Sequence, residues 1–264
     1  MAAAADPIFS LTTPYCDALV AHHQKIRERK RSQQIVPRRK SLYGSKSKAK
    51  HACNGDYLLA KIRSALDFFD STNDYERSAH QRKFHESMLA ASIRHIYADE
   101  FSDNFLKILE ENHWEEARQE ILICCPRRFG KTWAVGMYVA SYLYAIPDAE
   151  VCIFSPSRRQ SEKMLELVRK FLVKLPNMAE NIEKSNRERL WVRGNHSPTD
   201  VRKVSSYPSK VSTLKGVGGD LIVCEEAAAM DTAVFYEVVA SRLEMWADRN
   251  LHADHHFIIS RLVF

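Results

Sequence analysis

Residues 121–144 read ILICCPRRFGKTWAVGMYVASYLY, and this stretch decides the fold. Ile121–Cys125 is a short apolar run with the length of a buried strand. Lys131–Ala145 reads as a helix, and Pro147 stops it. Between them runs Pro126-Arg127-Arg128-Phe129-Gly130-Lys131-Thr132. A loop from a strand into a helix aims backbone N–H groups and the helix N-terminus at one spot, which favours an anion. Gly130 lets the backbone come close to it. In such a phosphate loop Lys131 reaches the β- and γ-phosphates of ATP, and the Thr132 hydroxyl ligates Mg²⁺. The pattern wants glycine at its first position, where this chain has Cys125. The competing reading of the segment alone is an ordinary strand-to-helix turn with a solvated lysine.

A second segment favours the nucleotide reading. VSTLKGVGGDLIVCEEAAAMD, residues 211–231, puts a short apolar strand directly before Glu225 and Glu226. A phosphate-loop ATPase needs acids at a buried strand tip, one for the metal and one for the attacking water. Glu225 is assigned to Mg²⁺ and Glu226 to the water. The bland alternative is a pair of glutamates preceding a helix that starts near Thr232.

Around these segments, short apolar strands alternate with helices. Strands are expected at Val151–Phe154, Leu221–Cys224 and Phe257–Ile259, with a hairpin or short strands at Leu190–Arg193 and Val201–Ser205. Helices are expected at about Arg158–Leu175 and Thr232–Trp246. The pattern predicts an α/β protein, a P-loop NTPase with a mainly parallel sheet flanked by helices. Upstream, Leu58, Leu59, Ile62, Leu66 and Phe69 fall at helical spacing, as do Phe84, Met88, Leu89, Ile93 and Ile96, then Phe105, Ile108 and Leu109. The expected organisation is therefore a basic, disordered arm over 1–54, a helical subdomain over 55–118 and the ATPase core over 119–264.

The chain of 264 residues is 45% hydrophobic and 27% charged, a globular balance. No apolar run approaches ~20 residues, so no membrane span or membrane partner is expected. The N-terminus carries an acid and no early basic group, unlike a secretory signal. The net charge of +6 is unevenly placed. Residues 25–50 hold eleven Lys/Arg against the single acid Glu28, which leaves the remainder net negative. This run, with Lys25, Arg27, Arg29, Lys30, Arg31, Arg38, Arg39 and Lys40, reads as a DNA-binding tail or a nuclear import signal, or else as a solvated arm. An intracellular, nuclear location is expected from it. The six cysteines form no CxxC pair, and Cys124, Cys125, Cys152 and Cys224 sit in apolar runs, so reduced core thiols are expected.

PRRFGKTW, residues 126–133, resembles the phosphate loop of large terminase subunits, the viral motors that package DNA, in the herpesvirus and tailed-phage lineage. The likeness continues in SPSRRQSEKMLELVRKFL (155–172), LKGVGGDLIVCEEAAAM (214–230) and HQRKFHESMLAASIRHIY (80–97). It covers about residues 80–260. It implies an ATPase that drives double-stranded DNA into a capsid, with a portal and other terminase subunits as partners and a homo-oligomeric ring as the active form. The family places aspartate before the catalytic glutamate, where this chain has Glu225. It also has a Ser/Thr-rich coupling turn, which HHFIISRL (255–262) matches weakly at Ser260. The family's RNase H-like nuclease domain has no counterpart before Phe264. The chain is thus expected to be a fragment, one exon or a partner of a separate nuclease chain, without nuclease activity of its own.

By the same resemblance, Arg127 or Arg128 acts as an arginine finger in cis, with Arg242 a lesser candidate. Gln81 and Gln119 are candidates for the adenine, or else surface amides. His252, His255 and His256 read as solvated loop histidines, and Tyr138, Tyr142 and Tyr144 as core. Two alternatives stay open: another P-loop DNA motor of the helicase kind, and a nucleotide- or DNA-binding subunit that no longer hydrolyses.

Overall fold

The computed structural model describes residues 54–72, 76–115, 117, 120–125, 128–194, 199–208, 219–230 and 256–262, the last segment by its backbone. They belong to one unit, residues 52–264. The basic arm, Pro126, Arg127, Gln119, Arg242, the expected helix over 232–246, His252 and His255 lie outside the described residues.

Three helices come first: α1 (Gly55–Thr72), α2 (Ala79–Tyr97) and α3 (Phe101–Glu111). The helically spaced apolar residues are their buried stripes, Leu58, Leu59, Ile62, Leu66 and Phe69 on α1 and Phe84, Met88, Leu89, Ile93 and Ile96 on α2. Ser78 starts α2 with a capping box, its hydroxyl accepting from the Gln81 N–H while the Gln81 side chain accepts from the Ser78 N–H.

Next come β1 (Glu120–Cys125), α4 (Lys131–Ala145), β2 (Glu150–Ser155) and α5 (Arg158–Leu172). They are followed by β3 (Ile182–Ser185), β4 (Arg189–Arg193), β5 (Val201–Pro208), β6 (Leu221–Cys224) and β7 (His256–Leu262). The sheet order is β1-β7-β6-β2-β5-β4-β3. The first five strands in that order pair in parallel, and β4 and β3 add an antiparallel edge. β7 therefore sits between the strand before the phosphate loop and the strand before the two glutamates. In register, Ser260 lies opposite Ile123, and Ile259 opposite Cys224. Ser260 is thus one step further along than the last paired residue of β6, level with Glu225.

α4 is buried on nearly every face, from Ala134 to Ala145, which explains its continuous apolar sequence. It packs against α1, α2 and α5. Gly136 lies close under α5: a Cβ there would lie 3.0 Å from Leu167. Tyr138 and Tyr142 are core residues, as expected, and each carries a polar tip to α2. The Tyr138 hydroxyl donates to Ser92 Oγ at 2.7 Å, and Tyr142 meets His95 Nδ1.

His85 completes this contact. The Ala134 carbonyl can only accept, so His85 Nε2, 2.8 Å away, carries the proton. Nδ1 is then the acceptor for the Arg77 guanidinium at 3.0 Å. The ring is neutral, and burial, with the Arg77 charge, pushes its pKa from 6.5 down to about 4. The unfolded chain takes up this proton first as pH falls. Folding stability is therefore fully present above pH 6.5 and declines between about pH 6.5 and 4. The loss expected from this one group is about 3 kcal/mol. Urea denaturation at pH 7.5 and 4.5 checks it, with His85→Gln expected to flatten the dependence.

The C-terminus of α4 is closed by a buried charge. Arg202, 2% exposed, forks onto Asp200 at 2.9 and 3.2 Å. Its remaining nitrogen donates to the Leu143 and Tyr144 carbonyls at 2.8 and 2.6 Å, two helix-end acceptors. Arg202→Met is expected to destabilise the fold by roughly 3–5 kcal/mol, because it strands a buried carboxylate. Thermal denaturation reads this directly. A shift equivalent to under about 1 kcal/mol would contradict it.

Cys125, Cys152 and Cys224 are buried thiols, but Cys124 is exposed, which corrects the expected core position. β1 is the edge of the sheet among the described residues, so its alternate side chains are not all covered. Among the described residues no helix is long and apolar enough to cross a membrane.

Candidate functional site

The two predicted site segments meet. Lys131, at the first position of α4, and Glu225, just beyond β6, are 6% and 4% exposed. Lys131 Nζ lies 3.7 Å from Glu225 Oε1, and Thr132 Oγ1 donates to the same oxygen at 2.7 Å. Lys131 Nζ is buried and makes no hydrogen bond. A buried ammonium in that state is costly unless something anionic completes its shell.

The backbone before it is shaped for an anion. Arg128 has φ 65° and Gly130 has φ 83°. Left-handed residues in a turn aim neighbouring N–H groups into one concavity, an anion nest. Glycine takes this conformation without penalty, whereas Arg128 adopts it at a cost of order 1 kcal/mol. The Arg128 side chain is exposed. Phe129 is held by its carbonyl, which accepts from Gln81 Nε2 at 3.2 Å. Gln81 is buried, and both ends of its amide are engaged within the protein. That makes it a support for the loop and not a surface amide.

Thr132 and Glu225 supply two hard oxygen donors side by side. One carboxylate, one hydroxyl, substrate phosphates and water form the donor set Mg²⁺ favours, so these residues fit that ion. Among the described residues no group of three or more His, Cys, Asp or Glu could hold a metal without a substrate. Cys125, at the head of the loop, is a buried thiol with its pKa raised by desolvation, against the opposing pull of Lys131. The Cys224 thiol, fully buried, is pushed up to about 12 by desolvation.

Glu226 follows in the left-handed region, φ 53° and ψ 44°, half-buried. Its Oε2 accepts from Gln160 Nε2, on the first turn of α5. Gln160 escaped the sequence reading, although Ser157-x-x-Gln160 is a visible helix-start signature. Ser260 has a backbone position beside this pair, and its side chain lies outside the described ones.

The helicase domain of the RNA cytidine acetyltransferase NAT10/TcmA family matches residues 122–247, just under half of the chain. No curated protein matches the sequence. Among solved structures, the large terminase of bacteriophage HK97 is similar with a TM-score of 0.51 at 16% identity, over 78% of this chain and 37% of that one. The ATPase domain of the Thermus phage P74-26 large terminase gives 0.43 at 18% identity, over 59% and 68% of the two chains. The large terminase of the thermophilic bacteriophage D6E, in complex with ADP, gives 0.40 at 15%, over 59% and 37%. This chain thus spans little more than a third of the HK97 and D6E terminases. Mixed α/β layers, a strand-to-helix loop, an acidic strand tip one strand removed from it and the HK97 likeness agree: the chain folds as a P-loop NTPase.

Proposed function

We propose that this chain hydrolyses ATP and couples it to movement of double-stranded DNA, as the ATPase part of a viral packaging terminase. The observation that carries the ATPase reading is the buried Lys131 ammonium, without a hydrogen bond, beside the Thr132–Glu225 pair. Lys131 and the loop N–H groups would hold the β- and γ-phosphates. A Mg²⁺ ion held by Thr132 and Glu225 would supply neutralising charge on those oxygens. Glu226 would take the proton of the attacking water as its oxygen bonds to the γ-phosphorus. The bond from that phosphorus to the bridging oxygen breaks, releasing ADP and phosphate. Arg128, exposed in the loop, or its neighbour Arg127 would neutralise charge on the departing phosphoryl group.

The packaging assignment rests on the resemblance of 126–133 and 214–230 to terminase motifs. In this reading the basic segment 25–50 contributes phosphate contacts or nuclear import, and a ring of copies acts with a portal. The NAT10/TcmA helicase-domain match favours a second reading, a helicase-type ATPase acting on nucleic acid.

ATP turnover of the full chain, measured alone and with nucleic acid, separates these. Double-stranded DNA is expected to stimulate turnover severalfold. Stimulation by single strands alone would favour the helicase type. Nucleotide binding without turnover under every condition would leave a non-hydrolysing subunit.

A further inference from the structure

We infer that the Ser155 hydroxyl is a further group of the nucleotide site, accepting a hydrogen bond from a water that Mg²⁺ holds there. The inference rests on the ATPase reading and adds to it a positioning residue from another element, β2. Ser155 ends that strand and is 0% exposed. Its Oγ is buried and has no hydrogen-bond partner, a state it shares with Lys131 Nζ. The other buried serines among the described residues are all engaged by protein groups. Ser92 accepts from the Tyr138 hydroxyl, while Ser141 donates to the Met137 carbonyl, Ser161 to the Arg158 carbonyl and Ser206 to the Ser161 carbonyl. A buried hydroxyl left unmet has lost its water without compensation, a cost that alanine at the same place would avoid.

The sheet register says what this hydroxyl faces. β2 pairs with β6 in parallel, Ile153 opposite Val223 and Phe154 opposite Cys224. The Glu225 N–H donates to the Phe154 carbonyl at 2.8 Å, which carries the ladder one step past the end of β6. Ser155 is thus level with Glu225 on the neighbouring strand, and paired strands run about 4.8 Å apart. Residues two apart along a strand share a face. Ser155 therefore lies on the face of Ile153, and Ile153 and Val223 both belong to the core that α4 fills. Glu225 turns to the same face, where it meets Thr132 and Lys131 at the start of α4. One end of one sheet face thus gathers a hydroxyl, a carboxylate and an ammonium, at 0, 4 and 6% exposure.

The chemistry of the ion selects the partner. Mg²⁺ gives up its waters reluctantly and keeps several of them beside phosphate and protein oxygens. A water on the ion has its lone pair on the metal, so toward the protein it donates and needs an acceptor. Thr132 and Glu225 are placed for the ion itself, and Ser155, one strand beyond Glu225, is placed for such a water. Hydrogen bonds outside the directly bound oxygens orient that shell and tune how tightly the ion is held.

The test is Ser155→Ala in the full chain, read by the affinity for the non-hydrolysable analogue AMP-PNP in Mg²⁺ and in EDTA. The ratio of the two dissociation constants measures what the ion contributes to binding. That ratio should fall roughly five- to tenfold in the variant, the effect of one hydrogen bond to the ion's shell. Affinity in EDTA should stay within about twofold, because the phosphate contacts are untouched. The thermal midpoint without ligand should be unchanged or higher, since alanine removes an unmet hydroxyl. An unchanged ratio in the variant would overturn the proposal. A ligand-free midpoint lowered by more than about 3 °C would overturn it too, by showing that the hydroxyl serves the fold. Binding by the parent chain that Mg²⁺ does not tighten would remove the ion site itself. A parent chain that binds AMP-PNP in neither condition would remove the ATPase reading, and this inference with it.

Discussion

Glu226→Gln is expected to bind ATP with nearly unchanged affinity and to hydrolyse it roughly 10²–10⁴-fold more slowly, the range that a positioned general base contributes. The amide has the size and shape of the carboxylate, so the left-handed turn after β6 is kept. It lacks the basicity to accept a proton from water. The phosphate contacts lie elsewhere, at Lys131, Thr132 and the loop N–H groups, so binding should persist. Single-turnover hydrolysis and equilibrium binding of a fluorescent ATP analogue measure the two halves separately. Normal hydrolysis in this variant would place the base on another residue. Glu225 is not an equivalent candidate, because beside Thr132 and Lys131 it is placed to hold the metal.

Lys131→Ala should weaken ATP binding roughly 10- to 100-fold, as the loss of charge-assisted contacts to phosphate predicts. Turnover should fall further, since the same ammonium neutralises charge that grows as the γ-phosphoryl leaves. The variant also loses the buried Lys131–Glu225 ion pair, so the fold is expected to persist with reduced stability. Circular dichroism and a thermal scan check that point alongside titration with ATP. Unchanged ATP affinity in a folded variant would contradict the loop assignment.

Local signals made much of this site readable before any coordinates. Ile121–Cys125, the Gly130-Lys131-Thr132 turn and the buried helix behind it are contiguous, and each carries its own chemistry. Glu225 and Glu226 are equally plain after Leu221–Cys224. The convergence of the two segments is a long-range event across 93 positions, and it could be inferred only from the chemistry both serve. Strand order was opaque for the same reason: nothing in HHFIISRL says that β7 inserts between β1 and β6. β3 was missed because Ile-Glu-Lys-Ser has one apolar residue, as an edge strand tolerates. Arg202 was missed because a charged residue in a strand reads as solvent-facing. Only the carbonyls at the end of α4 and the carboxylate of Asp200 explain its burial. Gln160 and Gln81 both follow a serine by three residues, and that spacing marks a helix start. It gives no hint that one amide reaches the acidic strand tip and the other the phosphate loop.

A crystal structure of the chain with a non-hydrolysable ATP analogue and Mg²⁺ tests the central claim most directly. The account predicts the γ-phosphate against Lys131 Nζ, with the Thr132 hydroxyl turned from Glu225 to the metal. Nucleotide bound elsewhere, with the Thr132–Glu225 hydrogen bond intact and Lys131 still unsatisfied, would contradict it.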